Sequence, residues 1–325
     1  MHYFIDTFGS KGLSSFCLPY RMKKLYGYPQ TAMREIVSKL AEKAKEKNIE
    51  ADIIHCFLNN SVKGIIFEEL GCGVINVLPY EEMGVVGSLY GGYAEALREL
   101  QNAEGYFVKA LKIHDEWEKV YIDNLDFSII EKKCIQLCDE LTDGKHGTGK
   151  GVITDRFLGA ATAFGAIDYI ENITENISKR YFIKGRPGTG KSTFMKKIAE
   201  EANRNGFDAF CYHCAFDPKS IDMVVVRELD VCLFDSTAPH EHFPSRKTDE
   251  VIDFYEMASK RNVDREYKAE LSEIAAEYKE KVSLATDCIA KANALFDKNE
   301  ELSMKMCDSK NILCLAEVIT AELLG

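Results

Sequence analysis

Gly185-Arg186-Pro187-Gly188-Thr189-Gly190-Lys191-Ser192 places glycines, a lysine and a hydroxyl at the spacing that cradles the phosphates of a nucleoside triphosphate. Glycines at 185, 188 and 190 let the backbone turn so that several N–H groups converge on an anion at a helix N-terminus. Lys191 brings a mobile cation to the β- and γ-phosphates, and Ser192, followed by Thr193, offers a hydroxyl to Mg²⁺. A second element is the apolar run Val231-Cys232-Leu233-Phe234, which ends in Asp235. A carboxylate at the end of a buried strand beside the loop holds the metal directly or through water. Ser236 and Thr237 follow it, so the adjacent glutamate that many ATPases use to orient water is absent.

Other residues carry two readings each. Asp217 stands where a kinase places its base, and it also opens an ordinary turn with Pro218; Asp222 is a further candidate for the same part. His213 and Cys214, with Cys211, His240 and His242, could form a zinc site, but no paired C-x-x-C spacing supports one, and packing is the alternative. Arg246, Arg261 and Arg265 either reach over the phosphates or are exposed basic residues.

The elements that must position these groups are written twice. Arg180–Lys184 reads as a strand entering the loop, and Phe194, Met195, Ile198 and Ala202 share one face of the helix leaving it. Gly27-Tyr28-Pro29-Gln30-Thr31-Ala32-Met33-Arg34 lies over the loop without a gap and also leads into a helical pattern. Ile53–Cys56 then matches Cys211–Cys214, Ile65–Leu70 matches Val224–Leu229, Val74-Ile75-Asn76 matches Leu233-Phe234-Asp235, and Pro79 matches Pro239. Gln30, Ala32, Met33, Arg34 and Asn76 replace Gly188, Gly190, Lys191, Ser192 and Asp235, so the first copy has lost the phosphate chemistry and kept the apolar pattern.

The sequence therefore predicts an α/β protein of two tandem P-loop NTPase-like units with mainly parallel sheets. Residues 1–145 form the degenerate copy and residues 146–325 the intact one. Apolar residues at spacings of three and four from about Tyr93 to Leu141, and from about Val251 to Leu324, predict a helical hairpin inserted in each copy. The glycine-rich stretch Asp143–Gly151 imitates a phosphate loop at Gly144 and Gly149-Lys150, but Gly151 stands where Ser or Thr belongs, and it reads as a linker.

A net charge of −11 and a pI near 5.3 argue against binding to nucleic acid or an anionic membrane. No run of about 18 apolar residues predicts a membrane span, and no basic-then-apolar N-terminus predicts a signal peptide. The 11 cysteines then read as reduced thiols in a cytoplasmic protein.

Arg180–Thr193, Tyr212-His213-Cys214 and Phe234–His240 together resemble a bacterial family of duplicated P-loop NTPases, described as predicted ATPases or nucleotide kinases. The resemblance spans both copies and implies the duplicated fold and ATP binding; it brings no established reaction. In that family the first copy often carries a loop of its own, and this chain departs there at Met33, Arg34 and Asn76. Three functions stay open: an ATPase that drives a conformational change with Mg²⁺ and ATP, a kinase acting on a small-molecule acceptor, and a nucleotide sensor with a protein partner.

Overall fold

The computed structural model describes residues 1–78, 81, 93–238, 241–304 and 309–325, and side chains except over 299–309. Pro79, Pro239 and His240 lie outside the described residues. The first half of the chain runs β1 (His2–Phe4), β2 (Asp6–Gly9), β3 (Gly12–Ser15), β4 (Arg21–Tyr26), α1 (Gln30–Glu46), β5 (Asp52–His55), β6 (Val62–Phe67), β7 (Cys72–Val77), α2 (Ala94–Ile122) and α3 (Phe127–Thr142). The second half repeats the succession with β8 (Ile153–Phe157), β9 (Gly159–Thr162), β10 (Gly165–Asp168), a single turn α4 (Ile170–Ile173), β11 (Lys179–Lys184), α5 (Lys191–Arg204), β12 (Ala209–His213), β13 (Ile221–Val226) and β14 (Val231–Asp235). It then adds β15 (Glu250–Asp253) and the short α6 (Phe254–Ala258) and α7 (Val263–Glu266) before α8 (Lys268–Met304) and α9 (Ser309–Leu324).

Two compact units result. One comprises Met1–Gly105, Gly159–Tyr169 and Ala285–Gly325; the other comprises Tyr106–Leu158 and Ile170–Leu284. The sequence boundary at 145/146 follows the repeat, whereas the compact units draw segments from both repeats. In the first unit the strands lie in the order β1-β5-β6-β7-β4, and in the second β15-β11-β14-β13-β12-β8. The two sets share a pattern: β5 on β1 and β12 on β8 are parallel, as are β4 on β7 and β11 on β14. Both repeats also slip register at the same place, after Ile54 and after Tyr212.

The sheets are α/β but mixed, because β6 and β13 run antiparallel to both neighbours. Chain length explains this. Only residues 227–230 separate β13 from β14, far too few for the dozen or more that a parallel crossover needs. Asp230 turns that corner at φ 54°, as Gly71 does at φ 60° in the first repeat. The apolar runs Met223–Val226 and Val231–Phe234 are buried on both faces, yet they pair as a hairpin and not in parallel.

The helical stretches are not hairpins in the expected sense. In the second unit α3 lies on α5, with Ile130, Cys134 and Leu137 sharing a core with Phe194, Met195 and Ile198. In the first unit α9 lies on α1, with Ile312, Ala316, Ile319 and Leu323 against Met33, Ile36, Val37 and Leu40. Each spacing of three and four gives a continuous apolar stripe, and the stripe is buried on a helix of the other repeat. Val251 does not begin a helix: Glu250–Asp253 is the parallel edge strand β15 beside β11, and Asp253 then caps α6 by accepting from the Tyr255 and Glu256 N–H groups.

The linker glycines serve close approach. A Cβ on Gly147 would fall 1.9 Å from the Gly206 carbonyl oxygen, and one on Gly151 would fall 2.4 Å from that of Phe207. The stretch that imitates a phosphate loop is thus laid against the chain that follows α5. No described helix is long and apolar enough to cross a membrane.

Candidate functional site

The strand β11, the loop and α5 come together as the motif requires. Gly188 and Gly190 adopt φ 74° and 86°, a region that only glycine enters freely, and Gly190 directly precedes the first residue of α5. A side chain on Gly185 would collide with Thr189 Oγ1 at 2.5 Å, and that hydroxyl donates to the Arg186 carbonyl at 2.8 Å. Lys191 Nζ donates to the carbonyls of Gly185 and Arg186, both at 3.2 Å, and lies 3.5 Å from Asp235 Oδ2. Its side chain is only 12% exposed, so the ammonium is folded into the loop and is not a freely solvated group.

Asp235 arrives from the neighbouring strand, where it stands opposite Ile183 at the C-terminal end. Thr237 holds Asp235 Oδ1 with its N–H at 2.9 Å and its hydroxyl at 2.5 Å, which leaves Oδ2 facing the lysine. Ser192 Oγ accepts from the Ile221 N–H at 2.8 Å and keeps a proton to donate and a second lone pair for a metal. Pro187 is half-buried, Thr193 is exposed on the first turn of α5, and the exposed Arg186 pairs with Asp264. Lys191 and Asp235 are therefore brought together, with Ser192 following the lysine on the first turn of α5, a set of donors and lone pairs suited to a phosphate and a hard cation.

Asp217 is engaged in its own turn, accepting from the Lys219 N–H at 3.2 Å while its carbonyl accepts from Ser220. Asp222 is buried beside Cys214, whose thiol burial pushes well above its ordinary range. His213 bridges the Pro218 carbonyl at 2.7 Å and Asp155 at 2.8 Å, a brace rather than a metal ligand. His55 repeats it, contacting the Asn60 carbonyl and His2 Nδ1 at 2.8 Å, and burial pushes its imidazole down to about 4. Among the described residues, Cys211, His213, Cys214 and His242 do not converge on a common point; the one such group, His114, Asp115 and Glu118, lies on α2. Arg246 binds the carbonyls of Thr174, Glu175 and Ile177, and Arg261 binds Asn124 and Tyr267, so neither guanidinium is directed at the phosphates. At Arg265 the backbone N–H is capped by Asn262.

The first repeat differs at the matching positions. Its helix α1 begins at Gln30, so Gln30, Thr31 and Ala32 are helical where Gly188, Thr189 and Gly190 form the loop. Met33, in place of the lysine, is fully buried in the core. Asn76, in place of Asp235, accepts from the Tyr28 N–H at 3.1 Å and donates to the Tyr28 carbonyl at 2.7 Å, a two-way clasp that a carboxylate cannot make. We expect Met33→Ala to cost about 2–5 kcal/mol of stability in urea titration, the usual effect of such a core truncation, with nucleotide affinity unchanged.

Three features were not readable locally. The end of α2 lies on the loop: a Cβ on Gly188 would meet Ile122 Cγ1 at 2.9 Å and Glu118 Cβ at 3.0 Å. Arg186 pairs with Asp264 at 2.7 Å, and Tyr121 donates to the same carboxylate at 2.8 Å. A cavity of about 430 Å³ is lined by Phe182, Phe234, His242, Phe243 and Glu171. Phe182 and Phe234 alternate with core residues Tyr181, Ile183 and Leu233, which places the cavity on the sheet face away from α5. The chain matches no protein-family model, no curated protein and no solved structure.

Proposed function

We propose that the second repeat is a P-loop unit that binds Mg²⁺·ATP and hydrolyses it, the chain being an ATPase of two tandem P-loop-like halves in which only the second keeps its chemistry. The observation that carries this reading is the posture of Lys191, held 3.2 Å from two loop carbonyls and 3.5 Å from Asp235 behind glycines at positive φ. A triphosphate entering the loop replaces the carboxylate as the partner of the ammonium. Asp235 and the Ser192 hydroxyl are the groups that would hold a magnesium ion, which would neutralise phosphate charge. Phosphoryl transfer to a small acceptor through Asp217 draws less support, since that residue serves its own turn. Because the described cysteines are free thiols, the reading suits a reducing, cytoplasmic setting.

The test is release of inorganic phosphate from Mg²⁺·ATP by the purified protein, with Lys191→Ala as control. Lysine-dependent release supports an autonomous ATPase. ATP binding without release favours the acceptor-dependent or partner-dependent readings.

A further inference from the structure

Hydrolysis at the loop needs a group that orients the attacking water and accepts its proton, and Asp235 is followed by Ser236 and Thr237 instead of a glutamate. The carboxylates around the loop sort by their partners. Asp235 faces Lys191, Asp264 is held by Arg186 and Tyr121, and Asp217 caps its own turn. Glu118 differs. Among the described residues its carboxylate takes no hydrogen bond, His114 Nδ1 standing 3.8 Å away, and its side chain is 34% exposed.

The turn that carries Glu118 is held firmly. Gly188 lets α2 approach the loop to van der Waals contact, Tyr121 ties the same turn to Asp264, and the rings of His114 and Trp117 pack on Tyr278. Glu118 stands with its Cβ and carbonyl against Gly188, within side-chain reach of the loop, and a carboxylate there would meet the like charge of a bound triphosphate, which disfavours it unless it gains a proton or a water to hold. Both are what a general base does.

Resting on the reading of the loop as an ATP site, we infer that Glu118, on the helix encoded by the first repeat, is the water-orienting base for the second repeat's loop. The water oxygen bonds to the γ-phosphorus as the bond from that phosphorus to the β–γ bridging oxygen breaks. The electron pair leaves on ADP, and the water's proton passes to Glu118 and then to solvent. The first repeat is thereby retained for the helix it lends, although its own loop is closed.

Glu118→Gln keeps the size and packing of the side chain and removes the base. ATP affinity and single-turnover phosphate release are measured together. Release is expected to fall by roughly 10²- to 10³-fold with affinity within about 3-fold of wild type, and Glu118→Asp is expected to recover part of the loss. Release by the Gln variant within about 3-fold of wild type overturns the assignment, as does a parallel loss of release, affinity and melting temperature, the sign of a packing role. Wild-type protein that binds ATP without releasing phosphate overturns the role of Glu118 and leaves the binding site standing. Wild-type protein that binds no ATP overturns the site itself.

Discussion

Lys191→Ala is expected to weaken Mg²⁺·ATP binding by roughly 10²- to 10³-fold and to abolish phosphate release, with the protein still folded. Hydrogen bonds to charged groups contribute about 1.5–3 kcal/mol each, and the ammonium reaches two phosphates; losing about 3–4 kcal/mol corresponds to that change in affinity. Without nucleotide the same lysine faces Asp235 at 3.5 Å, in side chains 12% and 19% exposed. Removing it leaves the carboxylate with Thr237 as its donor and takes a donor from the Gly185 and Arg186 carbonyls, a cost of roughly 1–3 kcal/mol, so the melting temperature should move by only a few degrees. Calorimetric titration with Mg²⁺·ATP, beside a thermal melt of each protein, separates the two effects. An unchanged affinity would remove the loop from any nucleotide function.

Most of what positions the loop was legible because it is local. The glycine spacing, the strand before it and the helix after it act within residues 180–204, where pattern and backbone geometry agree. The repeat was legible too, because Ile53–Cys56, Ile65–Leu70 and Val74–Asn76 match Cys211–Cys214, Val224–Leu229 and Leu233–Asp235 in the same order. What escaped is non-local. Helical spacing over residues 94–142 says that a stripe must be buried, but not on which partner; the partner of α3 is α5, whose residues lie about 60 positions further along the chain. Glu118 meets Gly188 through that same arrangement, so no reading of either segment alone could join them. The strand β15 was missed for another reason. Glu250-Val251-Ile252-Asp253 is short and charged at both ends, with Val251 exposed, a composition that suits a sheet edge and equally a helix start.

The edge strand leads to the largest expected loss of stability. Asp249 pins the chain just before it enters β15 beside β11. Its carboxylate receives Arg180 Nε at 2.8 Å and Nη2 at 2.6 Å, with the N–H groups of Ser245 and Arg246 at 2.7 and 2.8 Å. The Asp249 side chain is 0% exposed and that of Arg180 is 7% exposed. Asp249→Ala leaves the largely buried Arg180 guanidinium without its carboxylate, and breaking a buried pair from one side costs about 3–5 kcal/mol; the Ser245 and Arg246 N–H groups also lose their acceptor but are reached by water. The hydrogen bond from Arg180 holds the Asp249 carboxyl well below the usual carboxylate range. In the unfolded chain the same group titrates near 4, so below that pH the unfolded state binds the proton that the folded state refuses. The stabilisation is therefore complete at neutral pH and is lost progressively as pH falls below about 4 towards the depressed folded value. Urea titrations of wild type and Asp249→Ala at pH 7 and pH 3.5 should show the gap between them narrow at the lower pH. A gap independent of pH would mean that Asp249 stabilises by packing and backbone capping alone, with its charge contributing nothing.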